Sequence, residues 1–123
     1  MLNDYEVFAK KIIKKTKSHE IKWAACPWKK YEDFINDSFE CVRMFESSQI
    51  DTRNLVVYEK KELVFNADLE MHIEQCLFHL MIVNDKICEK KFDESDISRD
   101  ILSDILESAA NDALGTEEFI ENF

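Results

Sequence analysis

Glycine and proline are nearly absent from this sequence, which has one of each among its 123 residues. Disordered linkers and collagen-like repeats are rich in these residue types, so the composition argues against both classes. In contrast, 46% of the residues are hydrophobic and nine are phenylalanine, enough for a core without disulfide or metal staples. The length suits one domain, and we expect residues 1–123 to form a single domain.

Long hydrophobic runs are also missing. No apolar run approaches the ~18 residues that a membrane helix needs, and the run 80–83 has the length of a strand. The first residues lack the basic region, apolar stretch and small-residue cleavage site of a signal peptide. We therefore expect a cytoplasmic protein that makes no contact with a membrane.

The motifs of common enzyme sites are absent. The sequence contains no G-x-S-x-G, no glycine-rich phosphate loop and no H-E-x-x-H. The four cysteines, Cys26, Cys41, Cys76 and Cys88, include no C-x-x-C pair. Their positions in apolar segments predict buried, reduced thiols rather than a zinc or redox site. The expectation is a protein with no catalytic residues, no cofactor and no metal.

Negative charge is concentrated late in the chain. Residues 1–61 carry twelve Lys/Arg and ten Asp/Glu, whereas residues 62–123 carry four and sixteen. From Asp93 onward, ten acids face a single basic residue, Arg99. Phosphate binding needs a positive field, so direct nucleic-acid binding by this part is disfavoured. A one-signed surface attracts opposite charge, which favours a basic partner protein.

The two ends of the sequence have helical periodicity. Asn3 is a candidate N-cap with Glu6 as its capping-box partner, and Leu2 with Val7 is a candidate hydrophobic staple. A second helix is predicted from about Asp93 to a glycine cap at Gly115. Residues 116–123 are predicted to form a short final helix. We expect its apolar side chains to fold back onto the protein: Phe119, Ile120 and Phe123.

The middle of the sequence alternates like strands. The predicted strands are 20–26, 38–45, 55–59, 63–65, 71–83 and 86–92, with 55–59 and 63–65 possible as one bent strand. Residues 28–36 are predicted to be a connector with one helical turn. From Cys76 onward both faces of 71–83 are apolar, which indicates a central strand covered on both sides. The prediction is an α+β fold with an antiparallel sheet of four to five strands flanked by an N-terminal and a C-terminal helix.

The most specific surface feature is a row of acids on the predicted last helix. Asp96, Asp100, Asp104 and Glu107 fall at i, i+4, i+8 and i+11, and Asn111 continues the row. At about 100° per residue they share one stripe opposite the apolar face. This ridge could be a solvated face. Like charges at this spacing repel, however, which also fits a cationic partner that completes the row.

Three other constellations carry less specific signals. His72 shares a predicted strand face with Cys76 and with its neighbouring acids Glu70 and Glu74, a set that could bind a metal but lacks compact ligand spacing. His79 lies in an apolar run and is predicted to be a satisfied core histidine. The third set mixes aromatic and basic residues as single-strand binders do, although a core Trp23 also explains it: Trp23, Trp28, Lys22, Lys29, Lys30 and Tyr31.

Two stretches carry a family resemblance. Residues 12–16 leading into 20–23, and residues 80–85 running into 97–106, resemble small orphan proteins of bacteria and phages. Some of these are immunity proteins that neutralise a toxin, and others inhibit host defences. The resemblance covers about half of the chain and assigns no functional residue; it implies a binding protein rather than an enzyme.

The leading hypothesis is therefore an intracellular inhibitor that binds a basic protein, such as a toxin or a nucleic-acid-binding enzyme. Its predicted contact residues are Asp96, Asp100, Asp104 and Glu107. The alternatives are a homodimeric regulatory or structural module that pairs through a sheet edge and, third, a small metal-dependent enzyme that uses His72.

Overall fold

The structure is a computed structural model, and it describes residues 3–35 and 40–123. Residues 36–39, which include the end of the predicted connector 28–36 and the start of the predicted strand 38–45, lie outside this part. So does Leu2, the candidate staple residue. The helices are α1 (Asp4–Lys17), a 3-10 helix (Trp28–Phe34), α2 (Arg99–Leu114) and α3 (Thr116–Asn122). The strands are β1 (Trp23–Ala25), β2 (Glu40–Ser47), β3 (Asn54–Asn66), β4 (Met71–Asn84) and β5 (Ile87–Phe92).

The five strands form one antiparallel sheet in the order β1-β2-β3-β4-β5, so each strand pairs with its neighbour in sequence. This confirms the predicted α+β fold. Helices α1 and α2 share a core with one face of the sheet, through residues such as Ile12, Val57 and Leu106. The 3-10 helix covers the opposite face, where Tyr31 packs with Val56. The sequence patterns predicted cover on both faces of the central strand, but they did not show that the 3-10 helix supplies it.

Helix α1 begins as its capping signals predict. The Asn3 side chain accepts a hydrogen bond from the backbone N–H of Glu6 at 2.8 Å. The Glu6 carboxylate does not complete a capping box; it accepts from the backbone N–H of Ser98 at 3.4 Å. The Glu6 carboxylate thus bonds to Ser98 instead of to the start of its own helix, and this contact joins the first turn of α1 to the segment that precedes α2.

The strands differ from the predicted boundaries at two places. β1 is three residues long, although Ile21 before it is buried as the strand pattern suggested. In β2 the register shifts between Cys41 and Arg43. The shift turns Cys41 towards the core beneath the 3-10 helix while Arg43 lies opposite Glu59. Regular alternation along a strand would put Cys41 and Arg43 on one face, and the register shift puts them on opposite faces.

The predicted central strand is confirmed. β4 pairs with β3 over its whole length. Leu80 and Met81 are both fully buried, one beneath the helices and the other beneath the 3-10 helix. Residues 55–59 and 63–65 belong to one continuous strand, β3. At one end, β3 and β4 therefore stay paired beyond the last described pairs with β2 and β5.

Helix α2 begins later than predicted. Residues 93–96 form a turn in which Asp93 accepts hydrogen bonds from the backbone N–H and hydroxyl of Ser95, and the helix starts at Arg99. The predicted cap at Gly115 is confirmed, with a left-handed φ of 64°. No helix in the described part of the chain is long and apolar enough to cross a membrane.

The predicted short helix α3 forms, but its apolar side chains do not fold back. Phe119, Ile120 and Phe123 are 67%, 66% and 99% exposed, and α3 has no buried residue. The left-handed turn at Gly115 directs the chain away from the core. The expectation of a packed final segment was therefore wrong.

Candidate functional site

Strands β3 and β4 extend beyond the rest of the sheet. β2 pairs with β3 as far as Lys61, and β5 pairs with β4 as far as Leu80. β3 and β4 stay paired out to Asn66 and Met71. Residues 62–75, which we call the arm, thus form a two-stranded ribbon with no third strand among the described residues. Five paired positions give the arm a reach of roughly 17 Å.

Exposed apolar side chains cover both faces of the arm. They are Leu63, Val64, Phe65, Leu69, Met71 and Ile73. The uninterrupted register places Leu63 and Phe65 on the strand face that carries the helices, and Val64 and Ile73 on the other face. Exposure reaches 67% at Leu63. A two-stranded hairpin is marginally stable alone, and contiguous apolar surface of this kind typically marks an interaction site.

The charge of the arm has one sign. Residues 62–75 contain four acids, Glu62, Asp68, Glu70 and Glu74, and no lysine or arginine. Free strand edges are commonly protected by lysine, proline or a bulge. The arm has neither lysine nor proline, and its register contains no shift. Among residues 3–35 and 40–123, no strand pairs with the outer edges of the arm, and the arm carries negative charge.

The base of the arm is fastened to the start of α2. The Arg99 guanidinium donates to the backbone oxygen of Cys76 at 2.7 Å and lies 4.8 Å from the centre of the Phe78 ring. The backbone N–H of Phe78 donates to Glu94 at 3.1 Å, and Glu94 also pairs with Arg99. These bonds satisfy the β4 backbone beyond the end of β5. The arm consequently projects from a braced base.

The structure places the predicted acidic ridge only partly on a helix. Asp96 lies in the turn before α2, where its carboxylate accepts from the backbone N–H of Asp93 at 3.2 Å. The sequence pattern predicted that Asp96 lies on the helix, and this prediction was wrong because α2 begins at Arg99. Asp100 and Asp104 are exposed on α2. Asp100 directly follows the arginine that fastens the arm.

Glu107 is on the helix and exposed, but it already has a cation. It pairs with Arg43 of β2, whose guanidinium also donates to Glu59 of β3 at 3.1 Å. One arginine thus joins α2 to two neighbouring strands. Within the described part of the chain, Asp100 and Asp104 form no ion pair, whereas Glu107 belongs to an internal one.

Neutralising the ridge should leave stability nearly unchanged. We expect Asp100→Asn/Asp104→Asn to alter the free energy of unfolding by less than about 0.5 kcal/mol, since both side chains are exposed and repel each other. Glu107→Gln should cost up to about 1 kcal/mol, because it breaks a half-exposed pair with Arg43. Urea unfolding measures both. A larger loss from the double variant than from Glu107→Gln would contradict this assignment.

The His72 set does not form a metal site. His72 and Cys76 share a strand face, but Glu70 lies in the turn of the arm with a left-handed φ of 52°. Within residues 3–35 and 40–123, no three His, Cys, Asp or Glu side chains are grouped to hold a metal ion. The His72 ring instead packs edge-on against Phe65, 5.4 Å between centres.

The four cysteines are free thiols. Cys26 is buried and the other three are half-buried. Burial raises the pKa of Cys26 to about 11, and it also raises the pKa values of Cys41 and Cys88. A thiol with a raised pKa is a poor nucleophile at neutral pH. These cysteines therefore pack as apolar residues.

His79 is buried as predicted, but it is not satisfied. Its ring stacks on Tyr58 with 5.2 Å between centres, and its Nδ1 has no hydrogen-bond partner among the residues that the structure describes. Burial, with a smaller contribution from Lys60 and Lys91, lowers the pKa of His79 to about 4. The imidazole is consequently neutral at pH 7, because burial disfavours the charged form of the ring.

The two tryptophans do not form one stacking surface. Trp23 is 6% exposed and belongs to the core, whereas Trp28 is 41% exposed. Lys30 is paired with Glu46 at 2.8 Å. A single-strand binder needs several exposed rings along a positive groove. This region offers one exposed indole, Trp28, beside the exposed Lys22 and Lys29.

Comparisons with known proteins add no relative. No family model matches the chain, and no curated protein or solved structure matches it significantly. The site must therefore be judged from its own geometry.

The arm is the feature that the sequence patterns missed. Residues 63–65 were predicted as a strand. Nothing in them showed that, among the described residues, β2 pairs with β3 only as far as Lys61. A signal was present in the sequence: residues 68–74 alternate polar and apolar side chains, and 62–75 contains four acids and no lysine or arginine. A half-buried strand has the same pattern, so only the sheet register distinguishes the two.

Proposed function

We propose that this protein is a non-catalytic inhibitor that inserts the arm into an apolar cleft of a basic partner protein. The observation that carries the proposal is the arm itself, a braced ribbon with exposed apolar side chains on both faces and four acids. Asp100 and Asp104 at its base add negative charge where the rim of the partner would lie. Apolar burial supplies affinity, and charge supplies orientation and association rate.

The charge of the arm favours a basic partner over a second arm. Two arms packed face to face would bring eight carboxylates into one contact and would add their repulsion. A cationic rim around an apolar cleft has the complementary character. Toxins and nucleic-acid-binding enzymes commonly have such rims, because their substrates are anionic.

The shape of the arm favours blockage of a cleft. A ribbon that projects roughly 17 Å can enter a groove that a flat surface cannot reach. An edge that no described strand covers can also pair with a strand of the partner, a common mode of peptide recognition. An inserted ribbon would exclude the substrate of the partner without any chemistry by this chain.

The same proposal places the protein in the cytoplasm of a bacterial or phage-infected cell, as an immunity-type or anti-defence inhibitor. Its four free thiols suit a reducing compartment. The resemblance of residues 12–23 and 80–106 to small orphan proteins supports the inhibitor class by analogy.

The test replaces apolar arm residues. We expect Leu63→Ser/Phe65→Ser to keep the fold, since both side chains are exposed, and to reduce binding of the partner at least about tenfold. Ile87→Ser is the matched control, because Ile87 is 65% exposed on β5, away from the arm. Each variant is used as bait in extract from the source cell, and a captured protein is then purified and titrated by calorimetry.

The partner should be basic, and its activity should fall in proportion to bound native protein. Asp100→Asn/Asp104→Asn should slow association and weaken the salt dependence of binding while leaving most affinity at high salt. Equal binding by the native protein and the arm variant would refute the proposal. Loss of binding by Ile87→Ser alone would move the interface to the β5 edge.

A further inference from the structure

A second exposed apolar surface lies beside α1. A groove of about 330 Å³ runs between α1 and the hairpin that joins β2 to β3. Its apolar lining includes Phe8, Ile12, Ile21, Ile50, Leu55 and Ile82. This volume lies at the lower end of the ~300–1,000 Å³ typical of ligand sites. The groove is therefore large enough for a few apolar side chains.

The rim of the groove is mainly basic. Lys11 and Lys15, one turn apart on α1, border it, and Arg53 borders it from the hairpin. Within the described part of the chain, neither lysine forms an ion pair, whereas Arg53 pairs with Glu89. Glu20 is the one acid on the rim, and it accepts a hydrogen bond from Ser18. An occupant should thus be apolar with negative charge.

Residues 116–123 have that complementary chemistry. Phe119, Ile120 and Phe123 are the exposed apolar side chains of this segment, and Leu114 just before it is 68% exposed. The segment also carries three acids and no lysine or arginine. In α3 the aromatic rings of Phe119 and Phe123 contact each other, 5.8 Å between centres, and cover nothing else in the core.

We propose that α3 of one copy docks in the groove between α1 and the β2–β3 hairpin of a second copy, with its glutamates against Lys11 and Lys15. The contact would bury the exposed apolar side chains of α3 in the apolar groove. It would also bring negative charge against positive charge. An amphipathic helix in a hydrophobic groove is a recurring mode of recognition. The contact uses neither the arm nor the ridge, so it stands apart from inhibitor binding.

The net charge of −10 does not prevent this contact at physiological salt. Exposed charges farther apart than ~8 Å are largely screened there, and the local pairs at the groove have opposite signs. The surface involved is small, which predicts a weak and reversible complex. Self-association should therefore depend on protein concentration and on the lysines of the rim.

The experiment is sedimentation equilibrium of the full chain. We expect native protein to self-associate with a dissociation constant of roughly 10–100 µM. Lys11→Glu/Lys15→Glu should raise that constant at least about tenfold. Lys10→Glu/Lys14→Glu is the matched control, with the same spacing, helix and charge change on exposed positions that do not line the groove. It should associate like the native protein.

A charge exchange makes the test specific. A variant with Glu117→Lys/Glu118→Lys should bind the Lys11→Glu/Lys15→Glu variant in a mixture, although neither self-associates alone. Phe119→Ser/Ile120→Ser should abolish association without loss of the circular dichroism signal. The proposal is overturned if native protein is monomeric at about 1 mM, or if both lysine variants weaken association equally. Binding of an unrelated acidic peptide by a monomeric chain would assign the groove to another partner and would also overturn it.

Discussion

Replacing Trp23 with alanine should lower the free energy of unfolding by about 3–5 kcal/mol. The side chain is 6% exposed within the core beneath both helices. Its indole N–H donates to the Thr16 hydroxyl at 3.0 Å, and its backbone N–H donates to the Asp112 carboxylate at 2.7 Å. Trp23 thus joins β1 to α1 and α2. Alanine would leave a cavity and remove the donor to Thr16.

Chemical unfolding followed by circular dichroism measures this loss, because the signal does not depend on the removed indole. Trp23→Phe should cost about 1–2 kcal/mol, since most of the volume stays and one hydrogen bond is lost. Trp28→Ala is the surface control and should fall within about 0.5 kcal/mol of the native protein, because that side chain is 41% exposed. Equal costs for Trp23→Ala and Trp28→Ala would show that β1 does not join the helices.

Acidification should destabilise the protein through His79. Its pKa is about 4 in the folded state, below its ordinary value of 6.5, so between these values the unfolded chain binds the extra proton. Stability from this group is full above pH 6.5 and is lost as pH falls towards 4. The difference corresponds to about 3 kcal/mol. The cause is burial first, followed by Lys60 and Lys91 nearby, against which Asp93 and Glu94 act.

His79→Phe provides the comparison, because it keeps a ring against Tyr58 and removes the titrating nitrogen. The free energy of unfolding, measured in urea from pH 7.5 to 4.5, should fall more steeply for the native protein than for the variant. The difference between the two curves isolates His79 from carboxylates such as Asp93, whose pKa is lowered by hydrogen bonds from Ser95. Parallel curves would mean that the His79 ring is solvated or paired.

Much of the fold followed from local patterns. The stripe of Ala9 and Ile12 at helical spacing, the cap at Asn3 and the left-handed Gly115 each depend on neighbouring residues. They were predicted for that reason. The double-sided burial of β4 was likewise visible, because apolar residues on both strand faces need cover on both sides.

The candidate site was less predictable. Asp96 lay on the correct stripe for a helix, but the turn made by Asp93 and Ser95 delays α2 until Arg99. Glu107 was predicted to be unpaired because its cation, Arg43, lies 64 residues away in the sequence. Periodicity cannot show where a helix lies on a sheet. Which acids remain free is decided by that placement.

The sequence by itself determined the antiparallel α+β fold, the concentration of acids after residue 61 and the apolar character of residues 63–65. These depend on the order of residues along the chain. Only the tertiary structure showed that, among the described residues, β2 pairs with β3 no further than Lys61 and β5 pairs with β4 no further than Leu80, which leaves residues 62–75 as a projecting arm. Whether a strand residue is covered depends on the length of its neighbours, a non-local property that no local pattern contains.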